Sequence, residues 1–277
     1  MEALSEHINL QQNLSIKESA CSHYTLFPKN KEELEKMIED EISKQGLGAD
    51  LNHIDVSEIT DFFRLFKDSK FDGDISRWDV SNAKNMSRMF EGAHNFNGDI
   101  SSWDVSNVTD MTMMFFDAIS FNQDLSGWDV SNVRHMEDMF AWTNFNGDIS
   151  TWDVRNVRAM TGMFAYSSFN GNLKRWNTKH LIDMSSMFKE AKSFNQDISR
   201  WDVSKVVYMA CMFKDAKSFN QDISSWDVSR VEDMTEMFYC AESFNQDLSD
   251  WNVSKETKLS YMFVGCPCPK EHYPVIK

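Results

Sequence analysis

Two sets of residues in this chain have types and spacings that could do chemistry. Near one end, Cys266, Cys268 and His272 follow a C-x-C-x3-H pattern. That offers three soft metal ligands without an apparent fourth, so a closed zinc site is not expected. Along the middle, carboxylates recur in register. Asp74, Asp99, Asp124, Asp148, Asp197, Asp222 and Asp247 keep one place, and Asp79, Asp104, Asp129, Asp153, Asp202 and Asp227 keep another. If such groups stack about 5 Å apart, neighbours repel by roughly 3 kcal/mol at an effective dielectric of 20, so something must offset the repulsion. In "WDVSNV" the aspartate is placed to accept backbone N–H groups at a turn, a structural role. The first set could do the same, or could hold Ca²⁺, which takes six or more oxygens. Structural capping is the expectation for both sets, and no cofactor is called for.

Catalysis finds little support. The chain has no phosphate-binding loop, nucleophile elbow or HExxH helix. A catalytic constellation needs unlike groups converging once, whereas these residues recur in unit after unit, so the chain reads as a non-enzyme.

A different signal lies where the recurrence fails. The units beginning at Trp128 and Trp152 are each one residue short and carry Trp142 and Tyr166, where other units have Gly92, Asp117, Glu190, Asp215 and Cys240. The same stretch puts Arg155 and Lys174 in place of serine and Asn172 and Asn177 in place of aspartate, then adds Arg175, Lys179 and His180. Aromatic and basic residues together on an acidic background have the composition of an interface hot spot. The candidate binding residues are therefore Trp142, Tyr166, Arg155, Lys174, Arg175, Lys179 and His180. The plainer alternative is that the two rings fill space left by the deletions.

All these residues are positioned by a tandem repeat. Trp78, Trp103, Trp128, Trp152, Trp176, Trp201, Trp226 and Trp251 are 24 or 25 residues apart, giving eight explicit units with the consensus WDVSNVxxMxxMFxxAxxFNxDIS. A degenerate ninth unit starts near residue 52, with Ile54 at the tryptophan place. Val108, Met111, Met114, Phe115 and Ala118 follow three-to-four spacing, which predicts a short helix capped by Ser106 or Asn107. "NGDISSW" predicts a short strand directing Ile100 inward. Strand plus helix in about 25 residues makes an α/β coil that cannot bury its own apolar face, so about nine coils must stack into a solenoid. At about 4.8 Å per coil, nine coils would span roughly 40 to 45 Å. Fifteen of the 18 methionines fall on the two Met places and read as core, not as a cofactor box. The asparagines at 97, 122, 146, 170, 195, 220 and 245 read as inward groups satisfying turn backbone in adjacent coils.

The repeats carrying WDVSNVxxMxxMF resemble the BspA-type leucine-rich-repeat proteins, from residue 52 to about 265. The leader beginning "PKNKEELEKMIEDEISKQGLG" is similar to the segment that precedes the first repeat in that family. The resemblance implies a right-handed, LRR-like solenoid and an adhesin-like, protein-binding role at bacterial surfaces. It defines no functional residues, so none is carried over.

Four segments follow: an arm at 1–27, a capping helix at 28–51, the repeats at 52–265 and a C-terminal cap at 266–277. In the cap helix, Asn30 and Glu33 form a capping box, Leu34, Met37, Ile38 and Ile42 share a face, and Gly46 ends it. Three prolines in "GCPCPKEHYP" are expected to stop the ladder. Cys211 and Cys240 are expected to be small buried thiols, with Cys21, Cys266 and Cys268 outside the coils.

The formal net charge of −15 argues against direct nucleic-acid binding. No stretch approaches a membrane span, and the first residues show no basic start followed by an apolar run. The family implies a surface or secreted protein, whereas the chain is expected in the cytoplasm if Met1 is the native start. The partner is expected to be a protein or a host-surface ligand, with oligomeric state left open. The alternative reading is an acidic intracellular inhibitor or mimic that occupies a basic, nucleic-acid-binding protein.

Overall fold

A computed structural model describes residues 23–277; the expected arm at 1–27 and Cys21 lie mostly or wholly outside the described residues. Among the described residues one α-helix, α1 (Lys31–Gln45), leads into the repeats. Its start is fixed as the sequence dictates: Asn30 Oδ1 accepts the Glu33 N–H at 2.9 Å, and the Glu33 carboxylate accepts the Lys29 N–H at 2.9 Å. Gly46 ends it at φ 88°, donating its N–H to the Ile42 carbonyl at 2.8 Å. Leu34 and Ile38 are fully buried in the same core as Leu51 and Ile54, so α1 covers the first coil. The Lys31 ammonium donates to the Phe63 carbonyl, tying helix to coil.

After α1 the chain winds in coils of 24 or 25 residues laid parallel on one another. Single-residue bridges pair Asn85 with Asp110, Asp110 with His135, His135 with Ala159, and so on to Asp233 with Lys258. The short helix expected over 108–118 is absent. Instead, alternate amides reach forward to the next coil: Met111, Met113, Phe115 and Asp117 donate to the carbonyls of His135, Glu137, Met139 and Ala141 at 2.8–3.0 Å. The amides between them close tight turns, Met114 to the Met111 carbonyl, Phe116 to Met113 and Ala118 to Phe115, at 3.0–3.1 Å. Left-handed residues at Met113 (φ 54°) and Asp117 (φ 57°) swing the chain so that Met111, Met114, Phe115 and Ala118 still point inward. The three-to-four spacing is thus met by turns. Cross-coil pairing displaces helix because a near-identical neighbour offers an acceptor for every second N–H. The expected strand at Ile100 is also absent; from Asn85 on the bridges fall just before the first Met of each unit, and only the first coil pairs at the strand place, Asp50 with Asp74.

The interior is a set of side-chain rows. Nine phenylalanine rings, from Phe66 through Phe263, stack at centroid spacings of 5.5–6.0 Å. The eight tryptophans of the repeat are at most 4% exposed, and each indole Nε1–H donates to a carbonyl in the preceding coil at 2.9–3.2 Å. That bond removes the cost of burying a polar N–H.

The asparagine column is exposed along one edge, or half-exposed at Asn170 and Asn220, not inward. It still satisfies neighbouring backbone: Asn97 Oδ1 accepts the Asn122 N–H at 3.0 Å, Asn122 Oδ1 that of Asn146 at 2.8 Å, and the pattern continues to Asn245. The prolines do not end the stack. Strand β1 (Asn252–Val253) pairs in parallel with β2 (Val275–Ile276), the Leu248 N–H donates to the His272 carbonyl, and Tyr273 stacks on Phe263 at 4.0 Å. Pro267, Pro269 and Pro274 leave those amides free to pair, so the cap is a further partial coil.

Candidate functional site

Both aspartate columns are occupied by their own turns. In the first, each Oδ1 accepts the N–H of the serine two residues on at 2.9–3.0 Å, as from Asp99 to Ser101. In the second the same bond measures 2.9–3.2 Å, with Arg155 N–H serving Asp153. Hydrogen bonds from the same serines stabilise the charged form, the hydroxyl first at Asp99 and Asp104 and the backbone N–H first at Asp124, Asp148 and Asp222, and pull these carboxyls below the usual range. For Asp197 the largest cause is the Lys174 ammonium, 2.6 Å away.

The cysteine pattern at the end of the stack is engaged differently. Cys266 Sγ donates to the Phe244 carbonyl at 3.2 Å and Cys268 Sγ to that of Gln246 at 3.4 Å. Burial pushes both thiols up, Cys268 to about 11, so they stay protonated at neutral pH and are poor ligands. Among the described residues no three His, Cys, Asp or Glu side chains gather as a metal group. Cys211 and Cys240 are half-buried free thiols on left-handed corners at φ 59° and 52°.

The residues singled out at the short coils fall into separate places. Trp142 and Tyr166 stack face to face, with centroids 4.0 Å apart and planes 9° from parallel, on left-handed corners at φ 61° and 59°. Trp142 is 49% exposed. The Lys189 ammonium stands 5.4 Å from the Tyr166 centroid. Beside the pair lies a shallow cavity of about 320 Å³, where Asn144, Ser168, Glu190 and Lys192 join the rings. None of the predicted basic residues lines it. Arg155 is held by Asp153 at 2.7 Å and Lys174 by Asp197 at 2.6 Å, so both cations are already neutralised. Arg175 and Lys179 are exposed, and His180 lines another cavity.

Next to the rings, Thr143 and Ser167 take the place that Ala118 holds in a full coil; both are buried, and their hydroxyls donate to the Phe140 and Phe164 carbonyls at 2.7 and 2.8 Å. Within the second short coil, Gly162 (φ 65°) lets the Asp138 carboxylate of the coil before lie over its backbone, a place where other coils carry Met113 or Ser186.

Equivalent bonds recurring coil after coil define a tandem-repeat protein, built of turns around rows of aromatic and methionine side chains. The chain belongs to the family described as Mycoplasma protein of unknown function, DUF285, whose model matches residues 32–143, 60–174, 130–199 and 165–273 in overlapping registers. No curated protein and no solved structure matches the chain.

Proposed function

We propose that this chain is a non-enzymatic binding scaffold, a right-handed LRR-like solenoid of the BspA type that docks a protein partner in an adhesin-like role. The observation that carries the reading is the exposed Trp142–Tyr166 stack. The corner is left-handed in every coil and elsewhere carries Gly92, Asp117, Glu190, Asp215 or Cys240, so the backbone does not call for two large aromatic side chains there, one of them a half-exposed tryptophan. Paired, rigid aromatic surface beside a shallow polar cavity is the usual anchor of a protein interface. The regular edges of the stack support the same reading, because they present an extended surface at little conformational cost on binding.

The test is cross-linking capture of a partner, or sedimentation of the protein against itself, with Trp142→Ala and Tyr166→Ala compared to the parent and folding checked by circular dichroism. Loss of the contact in folded variants supports the aromatic pair as the anchor. Full retention in both removes it.

A further inference from the structure

A second cavity, of about 800 Å³, shares no lining residue with the aromatic one. One wall is a backbone ladder: the Arg134 N–H donates to the Thr109 carbonyl at 2.9 Å, the Arg158 N–H to that of Arg134 at 3.3 Å, and the Ile182 N–H to that of Arg158 at 2.8 Å. The other is a side-chain column clamped to the coil before: Asn132 to the Ser106 carbonyl and Asn156 to that of Ser131, both at 2.7 Å, then His180 Nδ1 to that of Arg155 at 2.8 Å. His180 Nδ1 must donate to a carbonyl, which leaves Nε2 unbonded. Lys205 continues this column, and His135 completes the lining. The lining contains no carboxylate, although the chain carries 43 acidic residues against 28 basic ones. Among the described residues, Arg134, Arg158 and Lys205 form no ion pair, in contrast to Arg155 and Lys174.

We propose that this trough binds an acidic segment of a protein partner. Two guanidinium groups one coil apart on a rigid ladder can each take a carboxylate in bidentate fashion. Ile182, 40% exposed, follows Arg158 on the ladder, and Tyr208, 44% exposed, stands in the next coil as the bridge partner of Asp183, so apolar side chains of a peptide find contacts that a bare phosphate or sulfate polymer would not use. The same columns then run into a cavity of about 590 Å³ where Arg230 and Lys258 stand with Glu232, Asp233 and Glu256. A long polyanion leaving the trough would meet these carboxylates. A short peptide segment feels chiefly the local cations, because screening acts over about 8 Å at physiological salt.

The proposal rests on the binding-scaffold reading but uses a surface separate from the aromatic pair. It is tested on the full chain by fluorescence anisotropy with a labelled short peptide alternating glutamate and leucine. Its glutamine counterpart, oligothymidylate and a heparin fragment serve as the other probes. The glutamate peptide is expected to bind, to bind more weakly as salt rises, and to lose at least about tenfold in affinity in the double variant R134E/R158E. Those side chains are exposed, and a thermal melt checks the fold; Lys205→Gln, which only removes charge, is expected to weaken binding less. Lys70→Gln, at an exposed lysine outside both cavities, is expected to leave this binding unchanged. The proposal is overturned if the glutamate peptide fails to bind, binds the double variant equally well, or is matched by the glutamine peptide. Tighter binding of oligothymidylate or heparin through the same arginines overturns it in favour of nucleic acid or glycan. Each of these results leaves the Trp142 capture experiment free to succeed or fail independently.

Discussion

The coil starting at Trp103 and the one starting at Trp128 differ by a single residue, and that residue is lost at an outer corner. In the full coil, the Ala118 N–H donates to the Phe115 carbonyl at 3.0 Å and the Phe121 N–H to that of Ala118 at 3.1 Å. In the short one, Thr143 supplies a hydroxyl to the Phe140 carbonyl at 2.7 Å instead. The interior hardly registers the change, since Phe115–Phe140, Phe140–Phe164 and Phe164–Phe188 stack at 5.6, 6.0 and 5.7 Å. The rows therefore set the register, and corners absorb sequence change. A non-glycine residue on a left-handed corner costs roughly 1–2 kcal/mol. Contact between the Trp142 and Tyr166 rings returns about 0.5–1.5 kcal/mol.

The largest effect should come from breaking the register itself. Removing residues 201–225 takes out one whole coil and is expected to leave a shorter protein that melts cooperatively, whereas removing 201–212 is expected to abolish the folded state. Equal melting of the two deletion variants would defeat the idea that the rows set the register. Next, Trp201→Ala in a full coil and Trp152→Ala in a short coil should each cost about 3–5 kcal/mol in urea unfolding. A gap well above 1 kcal/mol between them would mean that the short coils pack differently after all. Third, Thr143→Val should cost about 1–2 kcal/mol by stranding the buried Phe140 carbonyl. Thr109→Val, whose hydroxyl donates to the Lys84 carbonyl at an exposed site, should cost less than about 0.5 kcal/mol.

The smallest effects are electrostatic. Asp99, Asp104, Asp124, Asp148 and Asp222 have folded-state values below the unfolded one, so their contribution is complete above the unfolded value. Stability should accordingly fall as pH drops below about 4 toward the folded values. Asp138, in the first short coil, is shifted the other way by burial and by Glu137, so its charge weakens the fold at neutral pH. Asp138→Asn is expected to raise neutral-pH stability by less than about 1 kcal/mol and to leave the acid limb in place. A lower melting temperature at pH 7 in that variant would contradict this.

What could be read from the sequence was whatever the period forces. The inward tryptophans, methionines and phenylalanines, the aspartate turns and the α1 caps follow from side-chain type and spacing alone. Over 108–118 the three-to-four spacing fits a helix and a run of turns equally well; nothing local reveals that the next coil will accept every second N–H. Trp142 and Tyr166 stood out because they break the pattern. Arg134, Arg158 and Lys205 did not, since they occupy places where the units vary freely. Aligning units on tryptophan does put Arg134 and Arg158 in one place and His180 and Lys205 in another, but only the fold brings the two columns together around one cavity.

The tryptophan row has an optical consequence. From Trp128 to Trp251, six parallel indoles stand 6.3–6.5 Å apart, close enough for excitation to pass from ring to ring many times before emission. Light absorbed by one ring can therefore be emitted by another, and a quencher that touches one end of the row would dim several rings at once. Replacing Trp176, inside that row, would open a gap between Trp152 and Trp201 and slow that passage, so quenching at one end would reach fewer rings.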